Sequence, residues 1–267
     1  MRGSLQYRSN RTVVAAGVAV TGLLFSSLPA EAAFQFQLVE TGGPTLLVTD
    51  QGAGDLNPAV GIIQVGSGIA FGDFTVFGLT ATSNRASGSG NQIAQIDLSS
   101  LMIRNNTSAP HTLGIMVGDT DYTFPTIRPL DLTASGSGTF AVVPGTGATS
   151  VSGSSANLSS FADAANGQFA TAFPAENFVF NAPASPTASF ADPVTIAAGF
   201  NPAGSYSMTL SDQFTVAGNT QLISLGQVLS AQTGPIPEPA CALLIAAAPL
   251  VASQRPSRKR SRASRSH

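Results

Sequence analysis

The chain has 267 residues, of which 43% are hydrophobic and only 10% are charged. The low charge content argues against a long coiled coil or a charge-rich helical bundle, and the apolar content argues against a wholly disordered chain. The net charge of −2 hides an asymmetry, because nine of the twelve basic residues lie near the two ends. Positions 33–239 hold three arginines against thirteen carboxylates, a net charge of −10, so we expect no nucleic acid among the partners.

The N-terminus has the layout of a secretory signal peptide. Basic residues up to Arg11 precede an apolar stretch over 12–28, and Ala30-Glu31-Ala32 follows as a small-residue cleavage site. We therefore predict a signal peptide over 1–32, recognised by the Sec translocon, with Ala30 and Ala32 before the cut. An uncleaved anchor is the alternative, although glycines and serines interrupt the apolar stretch.

The region after the signal peptide shows the period of β-strands. Phe34–Leu38 and Gln92–Leu98 alternate apolar and polar residues, as half-buried strands do. Turn-forming clusters separate these stretches from other short candidates. We predict an all-β fold over 33–230, an antiparallel β-sandwich of Greek-key or jelly-roll type. The further strand candidates are 45–49, 61–65, 69–81, 101–105, 112–117, 139–143, 206–210, 213–216 and 221–228.

Residues 144–193 lack this alternation and are dominated by small and polar residues. We predict a loop-rich insertion held on the core by its phenylalanines, with Leu158–Phe169 as the best helical candidate. An exposed platform that stacks sugar rings is the alternative, but the chain has no Trp and only three Tyr. The phenylalanines are Phe161, Phe169, Phe173, Phe178, Phe180 and Phe190.

The C-terminus combines three features. A linker over 231–239 contains Pro237, Glu238 and Pro239, and an apolar stretch over 240–254 follows it. The fourteen residues from Ala240 to Ser253 are almost wholly apolar and span about 21 Å as a helix, short of the roughly 30 Å bilayer core, so we predict a short hydrophobic helix and a transient tether. A basic cytoplasmic tail over 255–267 then stops the chain. Its cations are Arg255, Arg258, Lys259, Arg260, Arg262 and Arg265.

The order of motif, apolar stretch and basic stop resembles the PEP-CTERM sorting signal of bacterial exported proteins. The resemblance covers Pro235 to the C-terminus, and Pro249 departs from it by interrupting the apolar stretch. It implies export to the cell surface, recognition by an exosortase-type membrane enzyme, and association with extracellular polysaccharide. An ordinary tail anchor or a disordered basic tail is the alternative.

Two aspartates are the metal candidates in this sequence. Asp119 and Asp121 lie two apart at the end of a predicted strand, where both carboxylates are available to Ca²⁺. The spacing completes no EF-hand loop, and turn capping by both side chains is the alternative. Cys241 is the only cysteine and lies in the C-terminal apolar stretch, so no cysteine-based metal site or internal disulfide is expected. No other cofactor is expected.

No catalytic constellation is recognisable in the sequence. His111 follows Ala109-Pro110, where we predict a solvated loop, and no Gly-x-Ser-x-Gly elbow occurs. We therefore predict a non-enzymatic exported surface or matrix protein associated with exopolysaccharide. The alternative is a secreted carbohydrate-active or calcium-dependent carbohydrate-binding domain.

Overall fold

The computed structural model describes residues 34–66, 68–85, 93–99 and 102–234. The predicted signal peptide, the Pro-Glu-Pro motif, the apolar stretch with Cys241 and the basic tail lie outside these residues. Within the described ranges, no helix has the length and hydropathy needed to cross a membrane.

Sixteen strands lie in the described residues, and no α-helix occurs among them. In chain order the strands are Gln35–Glu40 (β1), Thr45–Thr49 (β2), Ile62–Val65 (β3), Ile69–Phe71 (β4), Phe74–Phe77 (β5), Leu79–Ser83 (β6), Ile93–Ser99 (β7), Met102–Asn105 (β8), His111–Tyr122 (β9), Leu130–Val142 (β10), Ser155–Asp163 (β11), Phe173–Asn181 (β12), Thr187–Ala191 (β13), Thr195–Phe200 (β14), Tyr206–Val216 (β15) and Thr220–Thr233 (β16).

These strands form two curled antiparallel sheets. The first has the order β12-β11-β15-β9-β1-β2. In the second, β16 pairs on one side with β7 and β8 and on the other side with β10, whose far edge carries β13 and β14. The prediction of an all-β antiparallel fold is therefore confirmed. The last strand extends to Thr233, three residues beyond the predicted domain end.

The sheets enclose one apolar core, and strand alternation fills it. In β1, Phe36 and Leu38 are fully buried whereas Gln35 and Gln37 are only half-buried. Successive side chains of a strand point to opposite faces, so this pattern gives each strand one core-facing side. Core residues from both sheets belong to the same cluster, including Phe36, Ile115, Leu158 and Phe214 from the first sheet and Ile96, Leu132, Phe140 and Leu229 from the second.

The prediction of a loop-rich insertion over 144–193 is wrong, because this segment contains β11, β12 and β13. The helical candidate Leu158–Phe169 is also wrong, since residues 155–163 pair with both β12 and β15. The inward side chains of β11 include Ala156, Ser160 and Ala162, which are buried but weakly hydrophobic. Their small size conceals the two-residue period in the sequence.

Three phenylalanines of this segment, Phe178, Phe180 and Phe190, pack together with the core residue Phe140. The ring of Phe190 lies 5.8 Å from that of Phe140, 6.2 Å from Phe178 and 5.2 Å from Phe180, measured between centroids. Phe140 is fully buried and Phe190 is 5% exposed. Aromatic pairs at these separations contribute stability beyond the area that they bury.

The predicted strand over 69–81 is divided into three. Gly72 lies in the turn between β4 and β5, and Gly78 separates β5 from β6. Both glycines have positive φ angles, 56° and 52°, a conformation that other residues adopt only with strain. Several strands lie partly or wholly outside the predicted ones, namely residues 130–138 of β10 and all of β11, β12, β13 and β14.

Candidate functional site

A polar pocket lies on the outer face of the second sheet. In the sheet register, Val228 of β16 pairs with Asp97 on one side and Ser135 on the other. Gly226 pairs in the same way with Ser99 and Ser137, so these side chains share one face. The pocket has a volume of about 380 Å³. Its lining is Asp97, Ser99, Ser135, Gly136, Ser137, Ala191, Asp192, Gly226, Gln227 and Val228.

A change of strand partner opens the sheet beside this polar pocket. Strand β10 pairs with β14 through residues 130–134 and with β13 through residues 137–141, so Gly136 falls between the two partners. Asp192 follows β13 there, and its backbone N–H donates to the Gly136 carbonyl at 2.7 Å. Asp192 borders the pocket, and its Oδ2 atom is buried.

Behind the polar pocket lies a group of buried oxygen acceptors, which we call the acceptor cluster: Glu176, Asp192, Asp212 and Gln227. Gln227 Nε2 donates to Glu176 Oε2 at 3.4 Å, and Ser160 Oγ donates to the same oxygen at 3.1 Å. Glu176, Asp212 and Gln227 are 4%, 3% and 1% exposed. A carboxyl group at that depth is costly to ionise without a cation.

Several oxygens of the acceptor cluster have no hydrogen-bond donor among the described residues. They are Glu176 Oε1, Asp192 Oδ2, Gln227 Oε1 and both carboxylate oxygens of Asp212. Protonation turns a carboxylate into a donor and removes its charge, so the cluster is best satisfied when it holds protons. The surroundings of Glu176 and Asp212 therefore favour the protonated carboxyl group over the charged one.

The pKa values of these acids follow from the same geometry. Burial, with the neighbouring Asp192 carboxyl acting in the same direction, raises the pKa of Glu176 to about 8. Burial also raises the pKa of Asp212 well above its ordinary value, with the charge of Glu176 acting in the same direction. Burial raises the pKa of Asp97, which lines the polar pocket. At neutral pH the interior of the site thus favours neutral carboxylic acids.

The two predicted calcium ligands have different surroundings. Asp119 is 1% exposed and accepts hydrogen bonds from Ser83 Oγ, Arg85 Nε and the Thr120 N–H. Burial raises its pKa to about 6, although Ser83 and Arg85 oppose the shift. Asp121 is exposed, has a φ of 61°, and accepts a hydrogen bond from Asn166 Nδ2. The structure therefore does not bring their side chains to a shared position, and calcium binding stays a prediction.

Ser83 is the residue that joins the Asp119 network to the core. Its hydroxyl contacts both Asp119 Oδ2 and, at 2.7 Å, the buried hydroxyl of Tyr122. We expect Ser83→Ala to lower the free energy of unfolding by about 1–3 kcal/mol, because it removes the buried hydrogen bonds that Ser83 makes with the Asp119 carboxylate and the Tyr122 hydroxyl. Urea denaturation monitors this change. The control is Ser137→Ala, at an exposed serine; equal stability of the two variants would contradict the expectation.

The prediction that His111 lies solvated in a loop is wrong. His111 begins β9 and is 29% exposed, with Nδ1 2.9 Å from Asp73 Oδ2 and 3.7 Å from Glu40 Oε1. Among the described residues, this is the one group of three or more His, Cys, Asp or Glu side chains with ligand atoms close enough for a metal ion. The partners are distant in sequence, so only strand pairing reveals them.

Comparison with known proteins gives no family. No protein-family model matches the chain, and no curated protein matches it. Among solved structures, the C-terminal CBM6 of LamC, a laminarinase from Zobellia galactanivorans, is 9% identical with a TM-score of 0.18, covering 55% of this chain and 98% of that one. The isomalto-dextranase of Arthrobacter globiformis T6, complexed with panose, is 11% identical with a TM-score of 0.17, covering 74% and 30%. Likenesses this low establish neither a common fold nor a common function.

Proposed function

We propose that this chain is an exported, non-enzymatic surface or matrix protein whose β domain, residues 34–234, associates with extracellular polysaccharide. The terminal sequences support export through the Sec translocon and sorting by an exosortase-type enzyme. The polar pocket supports the polysaccharide association and is the observation that carries it. The protein then presents a folded, acidic domain to the matrix while its C-terminal segment tethers it for a time.

The composition of the polar pocket suits hydroxyl-rich ligands. Ser99, Ser135 and Ser137 both donate and accept hydrogen bonds, whereas the carboxylates of Asp97 and Asp192 accept them. These groups lie on neighbouring strands, and a rigid sheet holds them in fixed positions. Sugar hydroxyls offer donors and acceptors at similar density, so the pocket matches a carbohydrate without the aromatic platform that the sequence disfavours.

Charge narrows the class of polysaccharide. Positions 33–239 carry a net charge of −10 and contain no lysine. Two carboxylates also border the polar pocket itself. A polyanionic polysaccharide would meet repulsion at the pocket and across the surface, whereas a neutral glycan would not. The proposed ligand is therefore an uncharged polysaccharide.

One observation favours a second candidate function, a secreted carbohydrate-active enzyme. The buried Glu176 holds its proton to about pH 8 and neighbours Asp192, which borders the polar pocket. Two carboxyl groups close to a sugar are the pairing that glycosidases use. The 4% exposure of Glu176 favours the binding role, because a general acid must reach its substrate.

Gel retardation with neutral glucans and with the host's own extracellular polysaccharide tests the proposal. We expect the chain to be retarded, and we expect the double variant Asp97→Ala, Asp192→Ala to bind at least tenfold more weakly. Asp131→Ala is the matched control, because it removes a carboxylate from β10 outside the polar pocket. Absence of retardation, or equal retardation of the pocket variant, would contradict the proposal, and release of reducing ends would favour the enzyme instead.

A further inference from the structure

We propose that Glu40, Asp73 and His111 form a binding site for a divalent first-row transition-metal ion of the Zn²⁺ class. These three residues, the His-carboxylate cluster, are separate from the polar pocket and the acceptor cluster. Glu40 ends β1, Asp73 lies in the turn between β4 and β5, and His111 begins β9. The β1–β9 pairing sets Glu40 opposite Leu113, and Asp73 reaches the cluster from the second sheet.

The distances in the His-carboxylate cluster match a metal coordination sphere. Zn²⁺ binds nitrogen and oxygen ligands at about 2.0–2.2 Å, so neighbouring ligands in a tetrahedral site lie about 3.3 Å apart. His111 Nδ1 lies 2.9 Å from Asp73 Oδ2 and 3.7 Å from Glu40 Oε1, which brackets that separation. All three ligand atoms lie within 4.8 Å of one another. An ion at their centre needs only small side-chain movements.

The backbone makes room for the Glu40 carboxylate. A Cβ atom at Gly72 would overlap Glu40 Oε2, and one at Gly43 would also crowd it. Gly72 has a φ of 56°, so both its conformation and its neighbour require glycine. Glu40 is 4% exposed, and the Asp73 N–H approaches its two oxygens at 3.3 Å each. A simple His111–Asp73 ion pair would not explain this second, buried carboxylate beside the same ring nitrogen.

The His-carboxylate cluster opens to solvent on one side. A pocket of about 340 Å³ is lined by the three ligands together with Thr41, Gly42, Gly43, Pro44 and Gly72. Three protein ligands leave one or more coordination positions of the ion for water or another small donor. The rings of Phe74 and His111 also pack perpendicular to each other, with centroids 6.3 Å apart.

The ligand set selects the class of ion. Ca²⁺ and Mg²⁺ favour sites built from oxygen ligands, whereas imidazole nitrogen suits Zn²⁺ and its first-row neighbours. One imidazole with two carboxylates therefore favours Zn²⁺ over Ca²⁺.

Zinc titration of the full chain tests this site. The protein is purified in mild detergent, stripped with EDTA and titrated with Zn²⁺ in a calorimeter, with Ca²⁺ as the comparison ion. We expect one Zn²⁺ per chain at the His-carboxylate cluster, with affinity at least tenfold lower in His111→Ala and in Glu40→Gln. Asp131→Asn is the control and should bind as the wild type does. Cys241 and His267 are present in every variant, so zinc held by them persists when the cluster is removed.

Two outcomes overturn the proposal: no zinc bound by the wild type, or zinc bound equally well by His111→Ala. Substitution by Co²⁺ in the wild type supplies a readout that needs no variant to fold. We expect the Co²⁺-loaded protein to show visible ligand-field absorption that disappears on addition of EDTA. We also expect its proton-NMR spectrum to contain the shifted signals of a single imidazole. Absence of a shifted imidazole would also contradict the assignment.

Discussion

Glu176→Gln is expected to make the protein more stable than the wild type at pH 8 and about equally stable at pH 4. The reason is the acceptor cluster, in which burial raises the pKa of Glu176 from 4.5 to about 8. The folded protein therefore holds a proton that the unfolded chain releases near pH 4.5. The resulting stability is fully present below pH 4.5 and is lost as the pH rises toward 8. Glutamine is neutral at every pH, so the variant keeps this stability as the pH rises.

The size of this effect follows from the pKa difference. Each pKa unit corresponds to about 1.4 kcal/mol, so the variant should gain on the order of a few kcal/mol over the wild type at pH 8. Burial raises the pKa of Asp212 and Asp119 in the same direction. The variant should therefore reduce the loss of stability with rising pH without abolishing it.

Urea denaturation of both proteins at pH 4, 6 and 8 measures the change. Asp131→Asn is the control, since it removes one negative charge from the outer part of β10 without touching the acceptor cluster. Two results would show that the cluster does not hold a proton. One is a wild-type stability that stays constant from pH 5 to 8, and the other is a variant that is less stable than the wild type at pH 8.

Phe190→Ala is expected to lower the free energy of unfolding by about 3–5 kcal/mol, the range for removing a large aromatic side chain from a core. Phe190 is 5% exposed and contacts the rings of Phe140, Phe178 and Phe180. Truncation leaves a cavity between β10, β12 and β13. A loop laid over the surface would instead tolerate the change with little loss.

The control for this second experiment is Val194→Ala, in the same segment but at a side chain that is 65% exposed. It should cost less than about 1 kcal/mol, as surface substitutions generally do. Similar losses in the two variants would indicate that residues 144–193 are not an integral part of the core.

The fold was predictable wherever large side chains alternate with polar ones. In β1, Phe36 and Leu38 reveal the inward face directly, and the predicted strand nearly coincides with Gln35–Glu40. In β11, the inward positions include Ala156, Ser160 and Ala162, which hydropathy does not distinguish from a loop. Tertiary contacts, rather than local sequence, make this segment a central strand.

The candidate sites were predictable only in part. The spacing of Asp119 and Asp121 predicts a shared metal site, but the structure gives the two side chains different partners. Glu40 and His111 come together through the β1–β9 pairing, and the acceptor cluster forms where β10 changes partner at Gly136. Both arrangements depend on register, which a single sequence does not specify.

The intact mass of the protein recovered from its native cell tests the proposed export and sorting most directly. We predict that the surface or extracellular fraction contains a chain that begins at Ala33 and ends near Pro239, because one spectrum reports both the signal-peptide cut and the processing beside Pro237-Glu238-Pro239. A full-length chain in the cytoplasm, with residues 1–32 and the basic tail retained, would contradict the account.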